Sequence, residues 1–447
     1  MATIGLVSLG CDKNLINSEQ MLWRLMDAGH EILETAELAE VVIVNTCAFI
    51  EASRLESIEN IHEIVDAMVK NRVDGVGGNV EHIIVAGCLA ERYRGEIMDE
   101  IPEVDAVVGC GSFDEIVEVV ERVTGGETGV TAFGDINAPL EECPRFVTGE
   151  SFSAYLKIAE GCSNNCAYCV IPSLRGRFRS REMDKIVDEA EALAQMGAKE
   201  IILVAQDLTM YGRDLYGNAA LPELIDRICA LEDVQWLRLL YLYPEGVTDE
   251  LIDCIKRNPK VLRCLDIPIQ HVNSGILKAM RRRTDGEQIR GLFTKLRAEL
   301  PGVVIRTSII IGLPGEGEEE FAELCDFLRE YKPERAGFFA YSPEEGTPAA
   351  EMERPDEDVV SRRMEAAEMI RDEIVEQYNE SLVGKTIDVL CEGADPIIKM
   401  AFGRTYADAP EIDGKVFFPP RGSAKAGDIK TVLIEDVMDG DLFGKML

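Results

Sequence analysis

No apolar run in this 447-residue chain approaches the ~20 residues that a membrane-crossing helix needs. A secretory signal is missing too, because Met1-Ala-Thr-Ile-Gly5 leads straight into a strand-like run. A soluble, cytoplasmic protein is expected. Basic charge is short: 46 Lys and Arg stand against 82 Asp and Glu, a net charge of −36. Such a surface repels polyphosphate, since affinity for nucleic acid rests mainly on Lys and Arg neutralising phosphates. A basic protein partner fits it better. Histidine is scarce, with four in the chain. The one that follows a strand, His271, reads as a hydrogen-bonded loop histidine rather than a proton-transfer residue.

What the chain has in abundance is cysteine. Thirteen in a reducing compartment point to metal or redox chemistry rather than to a disulfide framework, and oxygen sensitivity would follow. Three of them, Cys162, Cys166 and Cys169, form a C-x3-C-x2-C array directly after the apolar run Ala154-Tyr-Leu-Lys-Ile-Ala159. Three thiolates on one loop can hold three irons of a 4Fe–4S cube. No fourth local thiolate is present, so one iron stays open, as a catalytic zinc keeps one position free. This is the radical S-adenosylmethionine (SAM) signature, in which the open iron takes the amino and carboxylate groups of SAM. A zinc site short of one ligand and three structural thiols are the competing readings.

The length allows about three domains at roughly 150 residues each. Residues 1–130 repeat a short apolar strand followed by an amphipathic helix, with strands at Ile4–Leu9, Val41–Val44, Ile83–Ala86 and Ala106–Val108. That alternation predicts an α/β, doubly wound parallel sheet whose ligand site lies beyond the carboxyl ends of its strands. Cys11, Cys47, Cys88 and Cys110 occupy those ends, one or two residues past each run. A second iron–sulfur cluster at this edge is the reading they favour, and coincidental cysteines are the alternative. The spacing does not choose among the four.

Residues 131–150 read as a linker with two prolines. Residues 151–381 carry six strand-like runs separated by helical patterns, which predicts a partial (β/α)6 barrel with its site at the strand carboxyl ends. Gln206 follows the second run and Gln270 the fourth. The loop Ile311-Gly-Leu-Pro-Gly-Glu316, with Gly312 and Pro314, follows the fifth, which itself contains Arg306. These five residues are the candidate SAM contacts. Residues 382–447 change to short strands between Gly- and Pro-containing turns, as in a small antiparallel barrel. With eight basic against eleven acidic residues, this segment is ill suited to tracking RNA.

The whole chain resembles the RimO-type methylthiotransferases, radical SAM enzymes that modify ribosomal protein S-twelve. The matching stretches are Ser8-Leu-Gly-Cys-Asp-Lys-Asn14, Asn45-Thr-Cys-Ala-Phe-Ile50, Ala86-Gly-Cys-Leu-Ala90, Gly161-Cys-Ser-Asn-Asn-Cys-Ala-Tyr-Cys169 and Asp266-Ile-Pro-Ile-Gln-His271. Gly403-Arg-Thr-Tyr-Ala-Asp-Ala-Pro-Glu-Ile-Asp-Gly414 resembles the ribosomal-protein branch rather than the tRNA branch. Ala205-Gln-Asp207 stands where radical SAM barrels commonly carry Gly-Gly-Glu.

The resemblance implies a methylthiotransferase domain, a radical SAM barrel and a C-terminal TRAM domain. It also implies two 4Fe–4S clusters, the auxiliary one on Cys11, Cys47 and Cys88. One SAM would methylate a sulfur at the auxiliary cluster. A second would yield the 5′-deoxyadenosyl radical that takes hydrogen from the β-carbon of an aspartate. A tRNA adenosine methylthiotransferase of the same family and a non-catalytic iron–sulfur ribosome-assembly factor are the rival functions.

Overall fold

A computed structural model describes residues 1–74, 78–149, 151–420 and 424–447. Its packing divides into two compact units. The first comprises Met1–Gly149, Ala159–Arg181 and Glu344–Thr347, and the second Glu150–Ile158, Glu182–Pro343 and Pro348–Leu447.

The first unit is built on a six-stranded sheet. Its strands are β1 (Thr3–Ser8), β2 (Glu31–Ile32), β3 (Val41–Thr46), β4 (His82–Gly87), β5 (Ala106–Val108) and β6 (Val130–Ala132). The order is β2-β1-β3-β4-β5-β6, every pairing parallel. β3 is buried along its whole length, as a strand covered on both faces must be. Apolar clusters lie on the two faces, one around Val42, Val44 and Val85 and the other around Ile43, Ile84 and Val108. The four expected strands are joined by β2 and β6 at the edges, two and three residues long. Strand order turns back between β1 and β3, which opens a crevice at their carboxyl ends. A short antiparallel clasp, β8 (Ala159–Glu160) with β9 (Arg179–Ser180), completes the unit.

The second unit carries β7 (Ser153–Lys157), β10 (Glu200–Val204), β11 (Trp236–Leu239), β12 (Val261–Asp266), β13 (Val304–Ile311) and β14 (Arg335–Ala340). They pair in parallel and in sequential order, leaving β7 and β14 as edges. This is the expected six-stranded partial barrel. A closed five-stranded barrel follows, from β15 (Thr386–Asp395), β16 (Met400–Thr405), β17 (Val416–Phe418), β18 (Ile429–Met438) and β19 (Asp441–Met446). It is not wholly antiparallel. β17 and β19 run parallel, because the long strand β18 crosses the barrel between them and pairs with both β15 and β19.

Charge locks this barrel to the sheet. Glu200, fully buried on β10, accepts from Arg238 Nε of β11 at 2.8 Å and from the Arg404 guanidinium of β16. Arg306 of β13 meets Asp413 at 2.5 Å and Arg335 of β14 meets Asp408 at 2.7 Å. The two arginines hold the Glu200 carboxyl at about 2, against an ordinary 4.5 and against its burial. A depressed carboxyl contributes its stability above the unfolded value and loses it as pH falls through the folded one. Unfolding midpoints measured from pH 5 down to pH 2 should therefore fall. A Glu200→Gln protein should show a shallower fall over that interval.

Candidate metal centre

The crevice between β1 and β3 is stitched by side-chain amides. Asn14 Nδ2 donates to the carbonyls of Leu9 at 2.7 Å, Asn45 at 3.2 Å and Thr46 at 3.3 Å. Asn45 Nδ2 returns bonds to Asn14 O and Ser18 Oγ. Thr46 Oγ1 donates to Ala86 O at 2.6 Å, tying the end of β3 to β4. Ser57 Oγ accepts from Cys47 N and donates to Cys47 O, which fixes that residue from both sides.

On this frame stand the sequence-predicted cysteines. Cys11 caps the helix Asp12–Asp27, Cys47 follows β3 and Cys88 opens the helix Cys88–Tyr93. Cys47 and Cys88 are buried and Cys11 is exposed, so the group is open on one side. Gly10 lies so close to Cys47 that a Cβ there would fall 2.5 Å from Cys47 Cβ and 2.9 Å from Sγ. Its φ of +89° adds strain for any other residue. Gly10→Ala is thus expected to cost about 1–3 kcal/mol and to push Cys11 and Cys47 apart. Thermal unfolding and the iron content after reconstitution check this, and wild-type values for both would contradict it.

Burial and the neighbouring Cys88 raise the Cys47 thiol to about 11. Cys88 goes the other way, to about 6, drawn down first by a hydrogen bond from Cys110 and then by Arg175. Cys110 rises in return. The structure thus brings Cys110 against Cys88, on the far side from Cys47. The donor set fits an iron–sulfur cluster: thiols alone, at one sheet edge, around a glycine that leaves no room for a side chain. Among the described residues no three Cys, His, Asp or Glu side chains converge on one metal ion. A cube asks for no such convergence, since its thiolates sit on separate irons.

The second cysteine loop belongs to the same unit. Gly161, at φ +80°, threads a gap in which a Cβ would lie 2.2 to 2.8 Å from the carbonyl oxygens of Arg177, Gly176 and Arg175. Cys162 N donates to Gly176 O at 3.0 Å and Cys169 N to Cys166 O at 3.1 Å. Cys162 and Cys166 are buried and Cys169 is half-buried. The helix Ile171–Arg175 then packs Val170 and Leu174 into the core of the parallel sheet. It also delivers a residue the sequence reading missed. Arg175 is buried beside Cys88, and the signal for it was the run of arginines at 175, 177, 179 and 181 in an acidic chain.

The SAM candidates lie in the second unit. Gln206 follows β10, and Gln270 takes φ +68° while bridging to β13 through Ser308 O and Ile310 N. The Arg306 guanidinium is engaged by Asp413. Gly312 N donates to Glu316 Oε2 at 3.1 Å. The space a Gly312 side chain would take belongs to Val360, 2.5 Å from an ideal Cβ. Pro314 is buried. His271 is fully buried, accepts from Asn273 N at 3.0 Å and has Glu316 Oε2 at 3.4 Å from Nε2, a bonded loop histidine as expected.

Three family descriptions match this chain: Uncharacterized protein family UPF0004 over residues 3–109, Radical SAM superfamily over 156–328 and TRAM domain over 383–447. It is 45% identical to the ribosomal protein uS12 methylthiotransferase RimO of Acetivibrio thermocellus, covering 99% of this chain and 98% of that one. Identity is 47% to the protein of the same name from Pelotomaculum thermopropionicum, covering 99% of this chain and 98% of the relative. Among solved structures, the radical SAM methyltransferase TsrM from Kitasatospora setae has a TM-score of 0.56 at 16% identity. That match covers 78% of this chain and 77% of the other, and it bears on the fold alone.

Proposed function

This chain belongs to the ribosomal protein uS12 methylthiotransferase family of radical SAM enzymes, and from that premise we propose that it inserts a methylthio group at the β-carbon of an aspartate of uS12. The observation that carries the reading is identity above 40% over essentially the whole length to proteins of that name. In this reading Cys162, Cys166 and Cys169 hold a 4Fe–4S cluster with one iron open to SAM. Cys11, Cys47 and Cys88 hold a second. When bound, the first would pass on an electron from an external donor for reductive SAM cleavage, and the second would hold the sulfur to be methylated and delivered, the source of that sulfur being a separate donor.

The chain's own residues do the rest. A β-carbon hydrogen of aspartate resists acid–base removal at neutral pH, so the protein's work is positioning and exclusion of water and oxygen. Burial of Cys47, Cys88, Cys162 and Cys166 serves that exclusion, and exposure at Cys11 leaves an approach for the substrate. Gln206, Gln270 and the loop through Gly312 and Pro314 are the proposed SAM contacts. Arg306 stays with them as a proposed SAM contact, and its pair with Asp413 also anchors the C-terminal barrel. The net charge of −36 suits a basic ribosomal protein. No helix among the described residues is long and apolar enough to cross a membrane.

The test is anaerobic reconstitution followed by incubation with SAM, dithionite and either uS12 or tRNA. Mass spectrometry should find a methylthio group on an aspartate of uS12 and none on tRNA. Methylthiolated adenosine with unmodified uS12 would transfer the assignment to the tRNA branch. Absence of SAM cleavage would leave a non-catalytic iron–sulfur protein.

A further inference from the structure

The buried guanidinium of Arg175 has no part in the scheme above. It is 3% exposed at the end of the helix Ile171–Arg175. Nη1 donates to Asn17 Oδ1 and Nη2 to Asn14 Oδ1, each at 2.9 Å. Both acceptors are neutral. They come from the helix that starts beside Cys11, so one element orients the arginine and carries a cysteine. With its fork held in this way, Nε points at Cys88 Sγ, 3.2 Å away. Glu160 Oε2 stands farther off, at 3.6 Å from Nη1. A buried guanidinium is costly unless anions surround it. The sulfur it faces is the atom at which an anion would sit.

We infer that Arg175 is a positioning residue of the auxiliary centre, donating its Nε–H to the Cys88 thiolate and raising that centre's reduction potential. The inference rests on Cys88 being a cluster ligand. Donors to ligating sulfur and nearby positive charge stabilise the more electron-rich state of a cluster. Arg175 would act on the centre through Cys88, without touching substrate.

The test uses a background in which Cys162, Cys166 and Cys169 are all alanine, so that only the auxiliary centre is reconstituted. Potentiometric titration followed by electron paramagnetic resonance is run on this parent and on Arg175→Gln and Arg175→Lys. Both variants should keep the parent's iron. For Arg175→Gln the one-electron equilibrium should shift at least tenfold toward the oxidised state, about 59 mV more negative. Arg175→Lys, which keeps the charge and loses the Nε–H, should fall between. Potentials equal to the parent's would overturn the inference. So would loss of iron from a folded variant, which would make Arg175 a scaffold alone.

Should the variants fail to fold, pulsed resonance on unsubstituted Arg175 with isotope-labelled guanidinium nitrogens decides. A nitrogen coupling to the reduced centre is expected, and its absence overturns the inference. Cys88→Ala in the same background isolates the premise: iron retained there means the ligand assignment has failed, whatever Arg175 does.

Discussion

Replacing Cys47 with alanine is expected to abolish methylthio insertion while reductive SAM cleavage continues. The cysteine row runs with the strands, Cys11 beyond β1, Cys47 beyond β3, Cys88 beyond β4 and Cys110 beyond β5. Cys47 therefore sits between Cys11 and Cys88, backed by Gly10 and clamped by Ser57. Cys110 is the only other cysteine at this edge among the described residues, and it lies two strands from Cys47, so it cannot take over the position. Iron should fall by about four per chain, one cube's worth. Liquid chromatography should still find 5′-deoxyadenosine, because the loop from Cys162 to Cys169 draws its order from its own backbone and from the clasp of β8 with β9. Cys110→Ala serves as the control and should keep both iron and product. Methylthiolated uS12 from the Cys47→Ala protein would remove the second centre from the mechanism.

Glu200→Gln is expected to be the most damaging substitution for stability away from the metal centre, costing about 3–5 kcal/mol in chemical denaturation. Glu200 and Arg238 are fully buried and Arg404 nearly so, and Ser153 Oγ adds a bond at 2.9 Å. Glutamine cannot answer two guanidinium groups, so charges already stripped of water would be left with partial acceptors. The apolar contact of Phe152, Trp236, Leu262 and Leu390 around the same seam would open with them. A surface pair offers the contrast. Glu127, exposed beside Arg122, should be replaceable by glutamine without moving the midpoint. An unchanged midpoint for Glu200→Gln would mean that this buried charge cluster adds nothing to the hold on the C-terminal barrel.

The alternation of apolar runs and amphipathic helices made both parallel sheets legible, because a strand buried on two faces leaves a continuous apolar signature. β2 and the clasp of β8 with β9 left none, being two residues long, and in β6 an exposed Thr131 breaks the apolar run that made the equally short β5 visible. Cysteine positions at strand ends were legible for the same reason as the strands themselves. Arg175 was not, because its role depends on a helix folding back onto Asn14 and Asn17, more than 150 positions earlier. The stretch from Gly403 to Gly414 stood out as a motif, yet its part in the fold appears only in three dimensions. Asp408 and Asp413 seat it on Arg335 and Arg306. The pairing of Arg306 with Asp413 was likewise invisible in the sequence.

The account stands on two separate metal centres in one chain. The most direct measurement is iron content with low-temperature electron paramagnetic resonance on the anaerobically reconstituted protein in which Cys162, Cys166 and Cys169 are all alanine. It should hold about four irons and give a reducible 4Fe–4S signal on its own, with no SAM cleavage. A protein stripped of iron by those three changes would contradict it, for then Cys11, Cys47 and Cys88 hold no centre of their own.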